Sequence, residues 1–244
     1  MLKTDVLVIG SSAAGLVAAT TGKRIYPDKK ITVVTMMNKT LIPCGIPYVF
    51  GSVGNTNNDI LPAEKMFDTA GIMSIYDEAV SIDRKNKKVK LKEGEDISYD
   101  KLVIGTGSIP KKPGWLKGGD LKNVFTVPKN KIYLDEMQSK LNGCQKAVTI
   151  GAGFIGVEMS DELTKAGKNV TLIEKLPNIL GLAFDADVSV VAENILKERG
   201  VKIHTGISVK EIIGTEKVEG VLLENGEKIE ADAVVLSLGY TPHI

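Results

Sequence analysis

The stretch TLIPCGIPYVFG, residues 40–51, sets one thiol, Cys44, between Pro43 and Pro47 and directly ahead of a glycine. The other cysteine, Cys144, lies 100 residues further along, so no CxxC or CxxxxC pair exists and sequence neighbours build neither a zinc site nor a local dithiol. No metal site is expected. A single cysteine of this kind is either a small core residue or, where its thiolate is stabilised, a nucleophile toward external sulfur or peroxide. Pro47 marks a helix start close by, and a helix N-terminus there would favour the thiolate.

Glycines form the second set of chemical residues. In GAGFIGVE, Gly151, Gly153 and Gly156 follow a β-type run at 147–150 and open a helical segment. The first glycine permits the tight turn, the second lets a pyrophosphate approach the backbone, and the third lets helix pack closely on strand. Glu174 stands 18 residues beyond Gly156, at the end of the next β-type run, where a carboxylate accepts from a ribose 2′-hydroxyl. That carboxylate favours NADH over NADPH, whose 2′-phosphate would meet a negative charge. A similar turn, GSSAAG, has Gly10, Ser12 and Gly15, but its following run ITVVTMMN ends on Thr35 and Met36 where an acid is expected. A ribose contact there falls to backbone or to a hydroxyl.

These turns need strands and helices to hold them. Segments 5–25 and 147–167 share one form: a β-branched run, a glycine turn and an Ala-rich or amphipathic helix. Each is followed by a second run, KITVVT at 30–35 and NVTLIE at 169–174. Two βαβ nucleotide-binding starts therefore lie about 140 residues apart. Between them, 79–107 reads as short alternating strands forming a small antiparallel sheet and ending in a buried strand at 102–104. Segment 108–123 has linker composition. A helix is expected at 186–199, with strands near 201–213, 217–223 and 233–238. The fold class is α/β, with two Rossmann-like three-layer nucleotide-binding domains, the second inserted in the first.

Bulk properties narrow the partners. The chain has 244 residues, 43% hydrophobic and 25% charged, with 31 Lys and Arg against 30 Asp and Glu. No net field favours nucleic acid or an anionic membrane, and no apolar run approaches the roughly 20 residues of a bilayer span. MLKTD passes directly into VLVIG without the pattern of a signal peptide, and two cysteines in a chain this long fit a reducing cytoplasm.

In order along the chain, GxSxxG, PCGIPY, YDKLVIGTGSIP, GAGFIGVE and ADAVVLSLGYTP resemble the FAD-dependent pyridine nucleotide-disulfide oxidoreductases. The likeness covers essentially the whole chain. CGIPY is similar to the single-cysteine branch: coenzyme A-disulfide reductases, NADH oxidases, NADH peroxidases, and polysulfide or persulfide reductases. The resemblance implies FAD at Gly10, Ser12 and Gly15, with Thr106 and Gly107 lining the same site, although Gly105 replaces the family's usual alanine. It implies NADH at Gly151, Gly153, Gly156 and Glu174, and a flavin-covering aromatic at Phe154. Ala14, Thr35 and Pro43 in the first half, and Ile155, Glu158 and Gly239 in the second, complete the cofactor-contact candidates. Gly239 and Pro242 match the return of the chain to the first domain. The implied division is 1–110 for FAD, 111–238 for NAD(H) and 239–244 for the start of the return. Family chains continue into a further flavin-contacting segment and a dimerisation domain, so this chain is expected to lack that part, and its full-length form is expected to be a homodimer.

The implied chemistry passes electrons from NADH through flavin to Cys44, near the isoalloxazine, and on to a disulfide, coenzyme A disulfide or polysulfide. Oxygen or peroxide is the alternative acceptor. The same residues also suit a non-catalytic, redox-sensing nucleotide binder, or an electron-transfer reductase that works without Cys44. Lys23 and Arg24 end the first helix, where relatives that use coenzyme A place basic residues; a solvated helix end competes with that role. Tyr48 packs near Cys44 or contacts its substrate. His204 and Cys144 read as structural, and His243 as a residue near the return turn.

Overall fold

The run LKTDVLVI forms β1 (Leu2–Ile9), and its side chains alternate between faces: Val8 joins one apolar cluster while Leu7 and Ile9 join another. The computed structural model describes residues 2–244. The chain divides into two compact units, one made of residues 1–43, 60–108 and 242–244, the other of 44–59 and 109–241.

In the first unit β1 leads through a glycine turn into α1 (Ala13–Ile25) and on to β2 (Ile31–Thr35). A two-stranded ribbon, β3 (Thr40–Leu41) with β4 (Ile60–Leu61), marks where the chain leaves this unit and re-enters it. Then follow α2 (Ala63–Ala70), β5 (Met73–Tyr76), β6 (Ala79–Asp83), β7 (Lys88–Leu91) and β8 (Ile97–Ile104). The sheet order is β5-β2-β1-β8-β7-β6, parallel through β8 and antiparallel beyond it. Leu16, Ala19, Ala63 and Phe67 of the helices pack on Val8, Ile31 and Val33. Val89, Leu91, Ile97 and Tyr99 cover the other face against Leu7, Ile9 and Val34.

The short strands of 79–107 therefore differ from the separate sheet that the sequence leads one to expect. β8 pairs with β1 along its whole length, Leu2 to Ile97 and Ile9 to Ile104, and so joins the antiparallel arm to the parallel sheet. Nor is 102–104 fully buried: Ile104, at the strand's C-terminal end, is 55% exposed.

The second unit receives the chain at β9 (Ser108–Pro110), continues to β10 (Val124–Thr126) and α3 (Lys131–Asn142), and then repeats the glycine-turn pattern: β11 (Lys146–Ile150), α4 (Phe154–Lys165), β12 (Asn169–Ile173). After α5 (Ala186–Glu198) come β13 (Lys202–His204), β14 (Val209–Gly214), β15 (Val218–Leu223), β16 (Lys228–Glu230), β17 (Ala233–Leu236) and β18 (Tyr240–Pro242). The parallel sheet runs β10-β17-β11-β12-β13, and β14-β15-β16 form an antiparallel sheet whose Val209, Ile212, Val221 and Leu223 pack on Val148, Ile150 and Val234. The stretch of linker composition is part of this unit: Leu116 is buried in the same cluster.

One division differs from the sequence expectation of a first domain running unbroken over 1–110. Residues 44–59, which carry Cys44, belong with the second unit. Side chains of α3 and α4 hold them there. Ser52 donates to Glu162 Oε2 through both N–H and Oγ at 2.6 Å, and Gln138 Nε2 donates to the carbonyls of Val49 and Gly54 at 2.9 and 2.8 Å.

Candidate functional site

In the first unit β1 lies between β2 and β8, and in the second β11 lies between β12 and β17, so strand order reverses at the C-terminal end of each central strand. Such a switch point opens a crevice for a ligand, and a glycine turn sits at both. Gly10 and Gly151 have φ of +105° and +95°, values that side chains other than glycine's strain to adopt. A first side-chain carbon on Gly15 would lie 1.9 Å from Gly10 O, and one on Gly156 would lie 1.8 Å from Gly151 O. Only glycine permits the helix to start this close to the strand.

The helix ends then present free amides. Neither α1 nor α4 has an acidic residue in its first turn, and the first amides of a helix have no partner within it. Among the described residues nothing lies within 4 Å of the position a side chain on Gly153 would take, and the same is true at Gly107. Ser12 N-caps α1 in extended conformation with no side-chain capping bond. Ala14 is exposed, Thr106 and Pro43 are half-buried, and Gly107 O accepts from His243 N. Both turns therefore offer room and positive partial charge to a dinucleotide pyrophosphate, although at the second turn one amide, that of Ala152, is taken by the Glu174 carboxylate.

Glu174 follows directly on β12 as expected, with its carboxylate held at the second turn: Oε2 accepts from Ala152 N at 2.6 Å and Oε1 from Leu176 N at 2.9 Å. Thr35 ends β2 but is buried, and its hydroxyl is shared with Ser11 Oγ at 2.8 Å and Met37 N at 3.2 Å, while Ser11 also meets Thr40 Oγ1. The Thr35 hydroxyl is thus spent inside the protein. Phe154 is 55% exposed and packs edge-on against Phe184, with ring centres 5.8 Å apart. Ile155 and Glu158 are half-buried on α4; burial, and then Glu162, push the Glu158 carboxyl up. Gly239 has a positive φ of 90° and its carbonyl accepts from Lys111 N.

Cys44 is exposed. The helix expected at Pro47 is a single 3-10 turn, Pro47–Phe50. With four residues it has too little aligned backbone to stabilise a thiolate as a helix N-terminus does, and that part of the expectation is corrected. Tyr48 is 39% exposed on the same turn. Cys144 is buried, donates to Lys140 O at 3.4 Å, and is held in its neutral form by burial and then by Asp232. Lys23, in the last turn of α1, donates to Pro27 O and Lys29 O of the loop that follows. His204 Nδ1 lies 4.0 Å from Glu227, on the surface.

Three residues escape a reading of the sequence. Phe184 sits in an irregular stretch with no periodicity to mark it. Glu162 is 1% exposed and accepts from Ser52 and Lys165; burial pushes its carboxyl up, but Lys165 and Ser52 outweigh that and hold it low. Asp59 is 3% exposed, with Oδ2 buried and without a hydrogen-bond partner.

Residues 4–244 match the profile described as pyridine nucleotide-disulphide oxidoreductase. The chain is 32% identical to the NADH oxidase of Methanocaldococcus jannaschii, over 98% of this chain and 55% of the relative. It is 33% identical to the NAD(P)H sulfur oxidoreductase (CoA-dependent) of Pyrococcus abyssi, over 100% and 55%. The solved structure of a NAD-dependent persulfide reductase from A. fulgidus superposes with a TM-score of 0.89 at 33% identity, over 98% of this chain and 46% of that one. The chain thus spans about half the length of the curated relatives it matches.

Proposed function

The chain belongs to the pyridine nucleotide-disulphide oxidoreductase family, and from that premise we propose an FAD-dependent NAD(P)H oxidoreductase whose acting thiol is Cys44, reducing a disulfide, coenzyme A disulfide or polysulfide. The observation that carries the proposal is the duplicated glycine cradle, one at the switch point of each parallel sheet, in a chain whose exposed cysteine is Cys44. Bound FAD and NADH supply two-electron transfer. The chain's own groups do the rest: Gly10, Ser12, Ala14 and Gly15 admit the flavin nucleotide, with Pro43, Thr106 and Gly107 beside them. Gly151, Gly153, Ile155 and Gly156 admit NADH, Glu174 accepts from its ribose, and Phe154 covers the ring-binding face. Cys44 is the nucleophile toward sulfur.

A second acceptor class, oxygen or peroxide, uses the same cofactors and thiol, and is favoured by the likeness to an NADH oxidase. The longer form, with the dimerisation domain that the resemblance implies, is proposed as a homodimer. No described helix is long and apolar enough to cross a membrane, and the proposed compartment, the cytoplasm, rests on the scarcity of cysteine.

The test is the visible spectrum of the purified protein supplied with FAD, before and after anaerobic NADH. Flavin bands that bleach on NADH support the proposal. A protein that retains no flavin after gel filtration and releases no electrons from NADH overturns it for this chain.

A further inference from the structure

Asp59 ends the 3-10 turn Thr56–Asp59 and points inward. Its Oδ2 is buried and has no hydrogen-bond partner among the described residues, which is costly and rare, so its surroundings should show what it serves. Its close neighbour is Gly45. A first side-chain carbon at that position would fall 1.8 Å from Asp59 Oδ1 and 2.7 Å from its carboxyl carbon. The carboxyl therefore lies against the α-carbon of the residue following Cys44, and glycine is what admits it. Cys44 itself is open to solvent.

The charged groups around this turn are already engaged. From α3, which packs on it, Asp135 accepts from Thr56 Oγ1, and Lys131 pairs with Asp135 at 2.7 Å. From α4, Glu162 is taken by Ser52 and Lys165. Burial pushes the Asp59 carboxyl up to about 6. A group that titrates there both takes and gives a proton near neutral pH.

We propose that Asp59 is the proton carrier of the Cys44 thiol, taking its proton as the sulfur attacks an external disulfide and returning it to the sulfur that leaves. In this exchange the S–H bond of Cys44 breaks, a bond forms between Cys44 Sγ and one sulfur of the disulfide, and the disulfide's own S–S bond breaks. The leaving sulfur departs as a thiol with the transferred proton, and the carboxylate ends as it began. The inference rests on Cys44 being the acting thiol.

The test uses the full chain with Cys144→Ala, so that one thiol remains, and follows its reaction with two disulfides from about pH 5 to 9. Bis(2-hydroxyethyl) disulfide releases a thiolate that needs a proton; 5,5′-dithiobis(2-nitrobenzoate) releases one that is stable without it. With the aliphatic disulfide the rate should be bell-shaped in pH, its acid limb centred near the Asp59 value of about 6. In Asp59→Asn the bell should become a simple rise with pH, and the rate at pH 7 should fall by about 100-fold, the low end for a positioned acid. The aromatic disulfide, whose leaving thiolate needs no proton, should lose rate only through the slower deprotonation of Cys44, and so by a smaller factor than the aliphatic one. Identical profiles for the two proteins overturn the inference, and a wild-type rate that only rises with pH overturns it without the variant. If Cys44 reacts with neither disulfide, the proposed function falls, and this inference with it.

Discussion

Replacing Asp59 by asparagine should change how the stability of the second unit depends on pH. The carboxyl has an ordinary value of 3.8 and is pushed up to about 6 by burial in the folded chain. The folded state thus binds this proton more tightly than the unfolded state does. The stability it contributes is fully present below about pH 4 and is lost as pH rises through about 6. The gap is worth about 3 kcal/mol in total, of which about 2 kcal/mol falls between pH 4 and pH 7. Asparagine is close in shape and does not titrate, and any cost of its own buried amide is the same at both pH values. Urea unfolding at pH 4 and pH 7, followed by the single tryptophan, Trp115, which lies in the same unit, gives the four free energies needed. The difference between wild type and variant should shift by about 2 kcal/mol, the wild type losing ground toward pH 7. The remaining titrating groups cancel in that comparison. Equal pH dependence in the two proteins would show that Asp59 ionises as a solvated aspartate does, and the burial reasoning would be refuted.

Glu162→Ala removes the acceptor of two Ser52 bonds and a partner of Lys165; it should cost about 2–3 kcal/mol, the range for hydrogen bonds to a charged group, and limited proteolysis should then cut within 52–58 before the rest of the chain. Gly156→Ala would set a carbon 1.8 Å from Gly151 O, so NADH binding measured by fluorescence should be lost while FAD binding at the first turn persists. Glu174→Ala should weaken NADH by roughly tenfold, about the worth of one such hydrogen bond, and narrow its margin over NADPH in competitive titration.

Much of this is legible in the sequence where the backbone itself imposes a residue. Gly10, Gly15, Gly151 and Gly156 are glycines because a carbonyl oxygen occupies the space of a side chain, so their spacing after a β-branched run encodes a turn that nothing else builds. The helix after Asp185 is legible for a similar reason, its apolar residues recurring at helical spacing. Allegiance between units is not. Segment 44–59 follows β3 in the chain, yet Ser52, Val49 and Gly54 are held by side chains more than 80 residues away, and local composition carries no record of such partners. Asp59 is hidden for the same reason: only the fold shows it turned inward against Gly45. Pro47 does open a helical turn, but the turn stops at Phe50, and the Glu162 carbonyl that crowds the side-chain position of Gly51 comes from across the fold. Sequence alone makes Thr35 a weakened ribose contact, and the network with Ser11 and Thr40 that takes up its hydroxyl is invisible until those three residues are brought together.

The most direct measurement is the reoxidation of the flavin in FAD-loaded protein, first reduced by one equivalent of NADH without oxygen, when a small disulfide is added to wild type and to Cys44→Ser. Reduction by NADH should be the same in both, because Cys44 takes no part in it. Reoxidation by the disulfide should be rapid in the wild type and absent in the variant. Equal reoxidation in both proteins would contradict the assignment of Cys44 as the thiol through which electrons leave.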